Sequence, residues 1–193
     1  MKTSNSATDN QLIHAFQDGN NKALEILIDR YKDKIFTSLH ILLKDRYLAE
    51  DLFQDLFIKI IDTLRSKRYN EEGKFLPWAL RIGHNLCVDH FRKVNRTPTI
   101  TTDDDRDIFD VINVVADGAD KGILTQQSHE QVRDVLNLLP PEQREVIVLR
   151  HYGELSFKQI AQITNCTLNT ALGRMRYGLL NMRKIISDRQ IAL

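Results

Sequence analysis

The sequence predicts an all-α fold in which two small helical bodies are joined by an acidic linker. Apolar residues recur at spacings of three and four from Asn10 onward, which is the period of a helix and not of a strand. The pattern stops after Arg96, where a stretch rich in Thr, Asp and Gly shows no sustained period, and it resumes at Ser128. A break of about 30 residues is long for the inside of one compact domain, so it predicts a boundary.

Four helices are predicted before the break. The first, around NQLIHAF, should end at Gly19, and Asn20 or Asn21 is placed to cap the second, KALEILIDRYKDKIFTSLHILL. A short polar break at residues 44–46 precedes the third, YLAEDLFQDLFIKIIDTL. The fourth follows Gly73, because Pro77 fits a first helical turn and WALRIGHNLCVDHFRK has an amphipathic period.

Helices also account for the chain after the break. The run EQVRDVLNLL is predicted to stop at Pro140, since a proline disfavours the helical conformation of the residue before it. Pro141 fits the first turn of the next helix, EQREVIVLRHY. Ser156 and Gln159 have the spacing of a capping box, which predicts a helix from about Phe157 to Asn165.

A basic helix is predicted directly after that one. Thr167 is placed to cap it, it is about 20 residues long, and it is expected to bury Leu168, Ala171, Met175 and Leu179. Its other face carries Asn169, Thr170, Arg174 and Arg176. Two helices joined by about three residues, the second polar and basic outside, are typical of a helix-turn-helix that places its second helix in a DNA major groove.

Charge is distributed unevenly along the chain although the net charge is only +1. Residues 65–96 and 150–190 are each in basic excess, whereas residues 103–120 hold seven Asp and one Arg. Two basic blocks around an acidic one suggest a polyanion held at two places, and a merely solvated surface is the alternative. The N-terminus lacks the apolar core of a signal peptide and no apolar run is long enough to cross a bilayer, so we expect a cytoplasmic protein without membrane insertion.

Three stretches resemble the extracytoplasmic-function (ECF) type of RNA polymerase sigma factor, in the order that this family has them. AEDLFQDLFIKI is similar to the region that docks on the polymerase, and FLPWALRIGHNLCVDHFRK is similar to the minus-ten promoter helix. The stretch from Leu136 to Ile185 is similar to the minus-thirty-five domain. The resemblance implies a four-helix sigma-2 domain at residues 1–96, a flexible acidic linker at 97–127 and a helix-turn-helix sigma-4 domain at 128–193.

The resemblance also implies what such a chain binds. Its partners would be core RNA polymerase, through the β′ clamp and the β flap, and promoter DNA, with no catalytic centre and no cofactor. An anti-sigma factor, often membrane-bound in this family, can hold such proteins inactive. Asp51, Gln54 and Asp55 match the docking motif, and Asp51 and Asp55 lie one turn apart, as an acidic edge suited to a basic partner. A solvated helix face is the alternative for these three residues.

The minus-ten role requires cations for phosphates and a pocket for a base taken out of the stack. The loop SKRYNEEGKF matches the base-capturing loop, with Tyr69 and Phe75 as available aromatic surfaces. Trp78 and Leu80 are predicted to be core residues. The preceding position of the family's Arg-Asn pair is His84 here, which puts the contact expected from a basic residue in question. The candidate minus-ten residues are Lys67, Arg68, Lys74, Arg81, Asn85 and Arg92.

The second basic helix supplies the candidate minus-thirty-five residues, which are Thr167, Asn169, Thr170, Leu172, Gly173, Arg174 and Arg176. Many relatives have Lys or Arg followed by Ser where this chain has Leu172 and Gly173. Leu172 either touches a thymine methyl or completes the core, and Gly173 would allow a close approach of backbone to DNA at a helix-propensity cost of about 1 kcal/mol. The promoter preference of relatives therefore cannot be copied to this chain.

Other readings have weaker support in the sequence. His84, Cys87 and His90 are spaced by three, but the outer two diverge by about 120° around a helix, so three-point metal coordination is poor. Asp103, Asp104, Asp105 and Asp107 lack the Gly and final Glu of a calcium loop. No motif of a phosphate-binding loop or a nucleophile elbow indicates an enzyme. A stand-alone helix-turn-helix regulator and a helical adaptor protein remain as alternatives.

Overall fold

Every regular element that the structure describes is an α-helix. The computed structural model describes residues 7–70, 74–96 and 131–191. The N-terminal body consists of α1 (Asp9–Gln17), α2 (Asn21–Leu43), α3 (Arg46–Arg65) and α4 (Phe75–Arg96). The C-terminal body consists of α5, helical over residues 131–137, then α6 (Pro141–His151), α7 (Phe157–Ile163) and α8 (Leu168–Asp188). The all-α prediction is confirmed, whereas the predicted linker at 97–127, with its run of aspartates, lies outside the described residues.

Side-chain caps explain where the first three helices of the N-terminal body begin. Thr8 and Gln11 form a capping box at α1. Asn20 caps α2 by accepting a hydrogen bond from the backbone N–H of Lys22, and Gly19 before it has the positive φ of +99° that the turn requires. Asp45 caps α3 in the same way, so the predicted polar break is confirmed at Lys44 and Asp45, whereas Arg46 is already the first residue of α3.

The N-terminal body is built around α2, which contacts α1, α3 and α4. Leu39 of α2 and Leu56 of α3 are almost fully buried, and they meet Gly83 of α4, where a Cβ would lie 2.9 Å from Cδ1 of Leu56. Gly83 therefore lets α4 approach the other two helices closely. Each apolar side chain buried in this way stabilises the fold by about 1.5–3 kcal/mol relative to exposure.

In the C-terminal body, α8 packs across α6 and α7. Gly178 lies at the crossing with α6, where a Cβ would be 2.8 Å from Cδ1 of Ile147. One turn further on, the side-chain amide of Asn181 donates a hydrogen bond of 2.8 Å to Gln143. As predicted, α5 stops before Pro140, and Pro141 is the first residue of α6. The body therefore holds its last helix by close backbone approach as well as by side-chain packing.

The two bodies pack against each other, which the sequence did not predict. α2 contacts α6, and α4 contacts α7. Ile41 of α2 belongs to one apolar cluster with four residues of the C-terminal body, namely Leu136, Leu139, Ile147 and Val148. A salt bridge of 2.8 Å joins Lys34 to Glu154 across the same interface. The described helices thus form one closed arrangement with a shared core.

Candidate polymerase and promoter interface

The acidic edge predicted for docking lies on the outer face of α3. Asp51, Gln54 and Asp55 are all exposed. The buried residues Ala49, Leu56 and Ile60 lie on the other side of the same helix. The structure therefore brings the three candidate docking residues together on one accessible surface.

The described part of the candidate base-capturing loop is cationic and exposed. Lys67, Arg68 and Lys74 are all accessible, while residues 71–73 between them lie outside the described range. Lys67 ends α3 in the left-handed conformation, with φ of +54°, and its N–H donates to the carbonyl of Leu64. The guanidinium of Arg68 bonds the hydroxyl of Ser66 at 2.8 Å. This end of α3 can therefore present two cations to a phosphate.

The aromatic residues of this loop do not offer the surfaces that the sequence suggested. Phe75 is fully buried, so the expectation of an available ring there is wrong. Tyr69 is half-buried, and its ring packs edge-on against Trp78 with centroids 4.8 Å apart. Trp78 and Leu80 are buried, as predicted. Phe75 is drawn inside because it also packs between Tyr31 of α2 and Trp78, which anchors the start of α4.

The remaining minus-ten candidates lie along α4. Asn85 and Arg92 are exposed, and Arg92 reaches Asp89 at 3.8 Å, whereas Arg81 is half-buried. His84 instead turns toward the C-terminal body. Its Nε2 lies 2.5 Å from Oε1 of Glu145 on α6, and both side chains are largely covered. The side chain before Asn85 is thus engaged between the bodies and does not point to solvent.

The helix-turn-helix forms as predicted. Ser156 and Gln159 make the capping box of α7, and Asn165 adopts φ of +51° in the turn. Thr167 caps α8, because its hydroxyl accepts from the N–H of Thr170 at 3.1 Å and lies 2.8 Å from the Thr170 hydroxyl. Of the other minus-thirty-five candidates, Asn169, Leu172 and Arg176 are exposed, and Gly173 and Arg174 are half-buried.

Two predictions about the buried face of α8 are wrong. Leu168 and Leu179 are 48% and 40% exposed, although Ala171 and Met175 do face inward. Compared with the predicted orientation, α8 is rotated about its axis so that Ala171 and Gly178 face the other helices of the C-terminal body. Leu172, 43% exposed, does not complete the core either, which leaves the thymine-contact alternative open. A pattern search for large apolar residues misses this face because its centre is a glycine.

Several contact residues at the junction of the bodies were not predicted at all. They include Glu145, Lys34, Glu154 and Gly153, and a Cβ on Gly153 would lie 2.7 Å from Cδ1 of Leu80. A cleft of about 230 Å³ runs along this junction between α2, α4 and α6. No local sequence signal could have found it, because it joins positions far apart in the chain.

Cys87 lines this cleft and is buried. Burial raises the pKa of its thiol to about 12, and the nearby Glu145 carboxylate adds to the shift. Within the described ranges, no three His, Cys, Asp or Glu side chains lie close enough together to hold a metal ion, and this includes His84, Cys87 and His90. Among the same residues, no helix combines the length and apolarity needed to cross a membrane.

Comparisons with known proteins agree with this arrangement. The family model described as Sigma-70 region 2 matches residues 27–97, and the one described as Sigma-70, region 4 matches residues 129–174. The chain is 29% identical over 182 residues to the ECF RNA polymerase sigma factor SigW of Bacillus subtilis, covering 91% of this chain and 95% of SigW. It is 28% identical over 183 residues to the ECF RNA polymerase sigma-E factor of Escherichia coli, covering 89% and 91% of the two chains.

A solved structure shares the fold. It is the sigma factor RpoE of Bartonella quintana in complex with the anti-sigma factor NepR, with a TM-score of 0.70 and 20% sequence identity. The similarity covers 86% of this chain and 98% of the other.

Proposed function

The chain belongs to the ECF type of the sigma-70 family of RNA polymerase sigma factors, and from this premise we propose how its two helical bodies divide the work. As a sigma factor it is not an enzyme: it directs core RNA polymerase to specific promoters and assists their opening. The observation that carries the proposal is the presence of two basic, exposed surfaces on separate bodies, one on α4 and its preceding loop and one on α8.

The N-terminal body docks on polymerase and reads the minus-ten element. Asp51, Gln54 and Asp55 meet a basic surface of the β′ clamp, since exposed carboxylates one turn apart are suited to a positive partner. The cations at the end of α3 and on α4 follow the phosphates of the opened strand. Asn85 contacts a base, because it is exposed on the same helix and can both donate and accept hydrogen bonds. The cations assigned here are Lys67, Arg68, Lys74, Arg81 and Arg92.

The C-terminal body reads the minus-thirty-five element and contacts the β flap. The N-terminal turns of α8 enter the major groove, as in other helix-turn-helix proteins. Asn169 and Thr170 are placed to contact base edges, Leu172 contacts a thymine methyl, and Arg174 and Arg176 bind phosphates. Gly173 allows the helix backbone to approach the DNA closely, and Thr167 fixes the start of the helix.

The proposed division of the chain places the first body at 1–96, the tether at 97–127 and the second body at 128–193. The acidic tether passes through the nucleic-acid channels of the polymerase. An anti-sigma factor is a further proposed partner, supported by the fold shared with a sigma factor that is solved in complex with one. The protein works in the cytoplasm, where polymerase and promoters are found.

Specific transcription in a purified system tests this function. The chain is mixed with core polymerase and with promoters mapped from the transcript starts that its overexpression creates. We expect transcripts that depend on the chain, and we expect Asn85→Ala to lower promoter opening at least tenfold while Glu25→Ala, an exposed change on α2, has no effect. A chain that binds these promoters without polymerase and supports no transcription would instead be a stand-alone regulator.

Salt dependence tests the phosphate contacts separately. Each phosphate contact that is lost should reduce the slope of log affinity against log salt by about one, so Arg176→Ala should flatten the slope of the holoenzyme by about that amount. An unchanged slope would remove Arg176 from the contact set without affecting the rest of the assignment.

A further inference from the structure

Two large apolar side chains lie exposed at the ends of the acidic edge on α3. Tyr47 is 76% exposed and Ile58 is 57% exposed. In the described part of the N-terminal body, only Val94 is another large apolar residue with comparable exposure. Isolated exposed apolar residues are common on proteins. Such residues indicate a binding surface only when their positions relate them to each other.

Tyr47 and Ile58 lie on the same line along α3 as the candidate docking residues. At 100° per residue, positions 47, 51, 54 and 58 of a helix fall within about 60° of one another, and 55 lies beside them. At a rise of 1.5 Å per residue, the line from Tyr47 to Ile58 is about 17 Å long. The opposite face of α3 is buried through Ala49, Leu52, Leu56 and Ile60, so packing within the body gives Tyr47 and Ile58 no role.

The surroundings of this line fit a partner with both charge and apolar surface. Within the described residues, neither Asp51 nor Asp55 forms an ion pair or a side-chain hydrogen bond. A groove of about 450 Å³ lies beside Gln54, between α2 and α3, and its apolar lining comes from Phe36 and Phe53. Those two rings pack edge-on with centroids 5.6 Å apart and form the apolar base of the groove.

We propose that Tyr47 and Ile58 are apolar anchors of the polymerase-docking surface, extending it to both ends of the acidic edge. The occupant is a basic surface of core polymerase that carries apolar side chains opposite the two anchors. This inference rests on the proposed docking role of Asp51, Gln54 and Asp55 and adds the residues that hold the complex together.

The two kinds of residue have different kinetic roles. Exposed carboxylates steer a basic partner and mainly change the association rate and its salt dependence. Aromatic and aliphatic anchors that become fully desolvated hold the partner and mainly change the dissociation rate. When a partner is bound, the two anchors keep water away from the carboxylates that lie between them. The attraction between these carboxylates and the basic groups of the partner is then stronger.

The test measures association and dissociation rates of the full chain with core polymerase. Tyr47→Ala and Ile58→Ala should each raise the dissociation rate about tenfold, with little change in the association rate or its salt dependence. Tyr47→Phe should keep the parent rates, and Lys59→Ala, exposed on the same helix but off the line, is the matched control. Urea unfolding should be unchanged in all four variants because these side chains are exposed.

Variants of the acidic edge test the docking role of the carboxylates separately from the anchor role of Tyr47 and Ile58. The double change Asp51→Asn, Asp55→Asn should slow association and reduce its salt dependence. If it does so while Tyr47→Ala and Ile58→Ala dissociate like the parent, the anchors are wrong and the docking assignment stands. If the double variant also behaves like the parent, the docking assignment itself fails. If Tyr47→Ala abolishes a dimer of the free chain but leaves polymerase binding intact, the surface serves self-association and the proposal is overturned.

Discussion

Gly153 shows how a single residue sets the fit between the loop after α6 and its neighbours. A Cβ at this position would lie 2.7 Å from the carbonyl oxygen of Leu149 and 2.7 Å from Cδ1 of Leu80. The carbonyl belongs to the backbone of α6 and cannot rotate away. Gly153→Ala is therefore expected to lower the free energy of unfolding by about 1–3 kcal/mol, measured by urea denaturation.

Gly173 provides the matched control for this prediction at the same residue type. No atom lies within 4 Å of a Cβ built there, so Gly173→Ala should raise the free energy of unfolding by about 1 kcal/mol through helix propensity alone. If both alanine variants change stability in the same direction, crowding at Gly153 is not the cause of its effect.

At the scale of single residues, the sequence predicted helix caps better than it predicted which side chains are buried. The caps Asn20 and Thr167 follow from side-chain chemistry within three residues of the backbone groups they serve, and both are confirmed. The burial of Phe75 depends on Tyr31, which approaches it from α2 with ring centroids 5.5 Å apart. Sequence alone holds no record of that approach, and the prediction of an available ring failed there.

At the scale of the element, the start of α8 depends on one hydroxyl. Thr167 accepts from the N–H of Thr170, so Thr167→Ala should lower the free energy of unfolding by about 1 kcal/mol, and Thr167→Ser should not. The same alanine variant should weaken minus-thirty-five binding, because a frayed first turn no longer holds Asn169 and Thr170 in place. Circular dichroism during urea unfolding and promoter binding by the holoenzyme measure the two effects. Equal stability of the alanine and parent proteins would show that the cap does not hold the helix.

The helices themselves were predictable because their signals are local. Apolar period, capping residues and prolines together located each described helix, and the helix-turn-helix followed from their order. The rotation of α8 was not predictable in the same way. Its buried face is centred on Gly178, which lets α8 approach α6 closely but has no side chain. The leucines of α8 lie on the neighbouring face, so the apolar pattern predicted the wrong face to be buried.

At the scale of the whole molecule, the closed packing of the two bodies conflicts with the proposed simultaneous reading of two promoter elements. Sites about 25 base pairs apart are about 85 Å apart along straight DNA. A compact body of about 150 residues is only about 40 Å wide. A fully extended tether over residues 97–127 can reach about 100 Å, which is enough for the separation. If the proposed function is right, we therefore expect the bodies to separate at the junction of α2 and α4 with α6 when the chain acts.

Cys87 gives a native reporter of this separation. In the free chain its thiol is buried in the junction, and burial raises its pKa to about 12, so alkylation should be slow while the half-exposed Cys166 reacts. Opening should speed alkylation of Cys87 at least tenfold, measured by mass spectrometry of the free chain and of the holoenzyme bound to promoter DNA. Lys34→Glu, which replaces the salt bridge to Glu154 across the interface by a repulsion, should speed it in the free chain without polymerase. Slow alkylation of Cys87 in both the active holoenzyme and this variant would mean that the bodies stay closed.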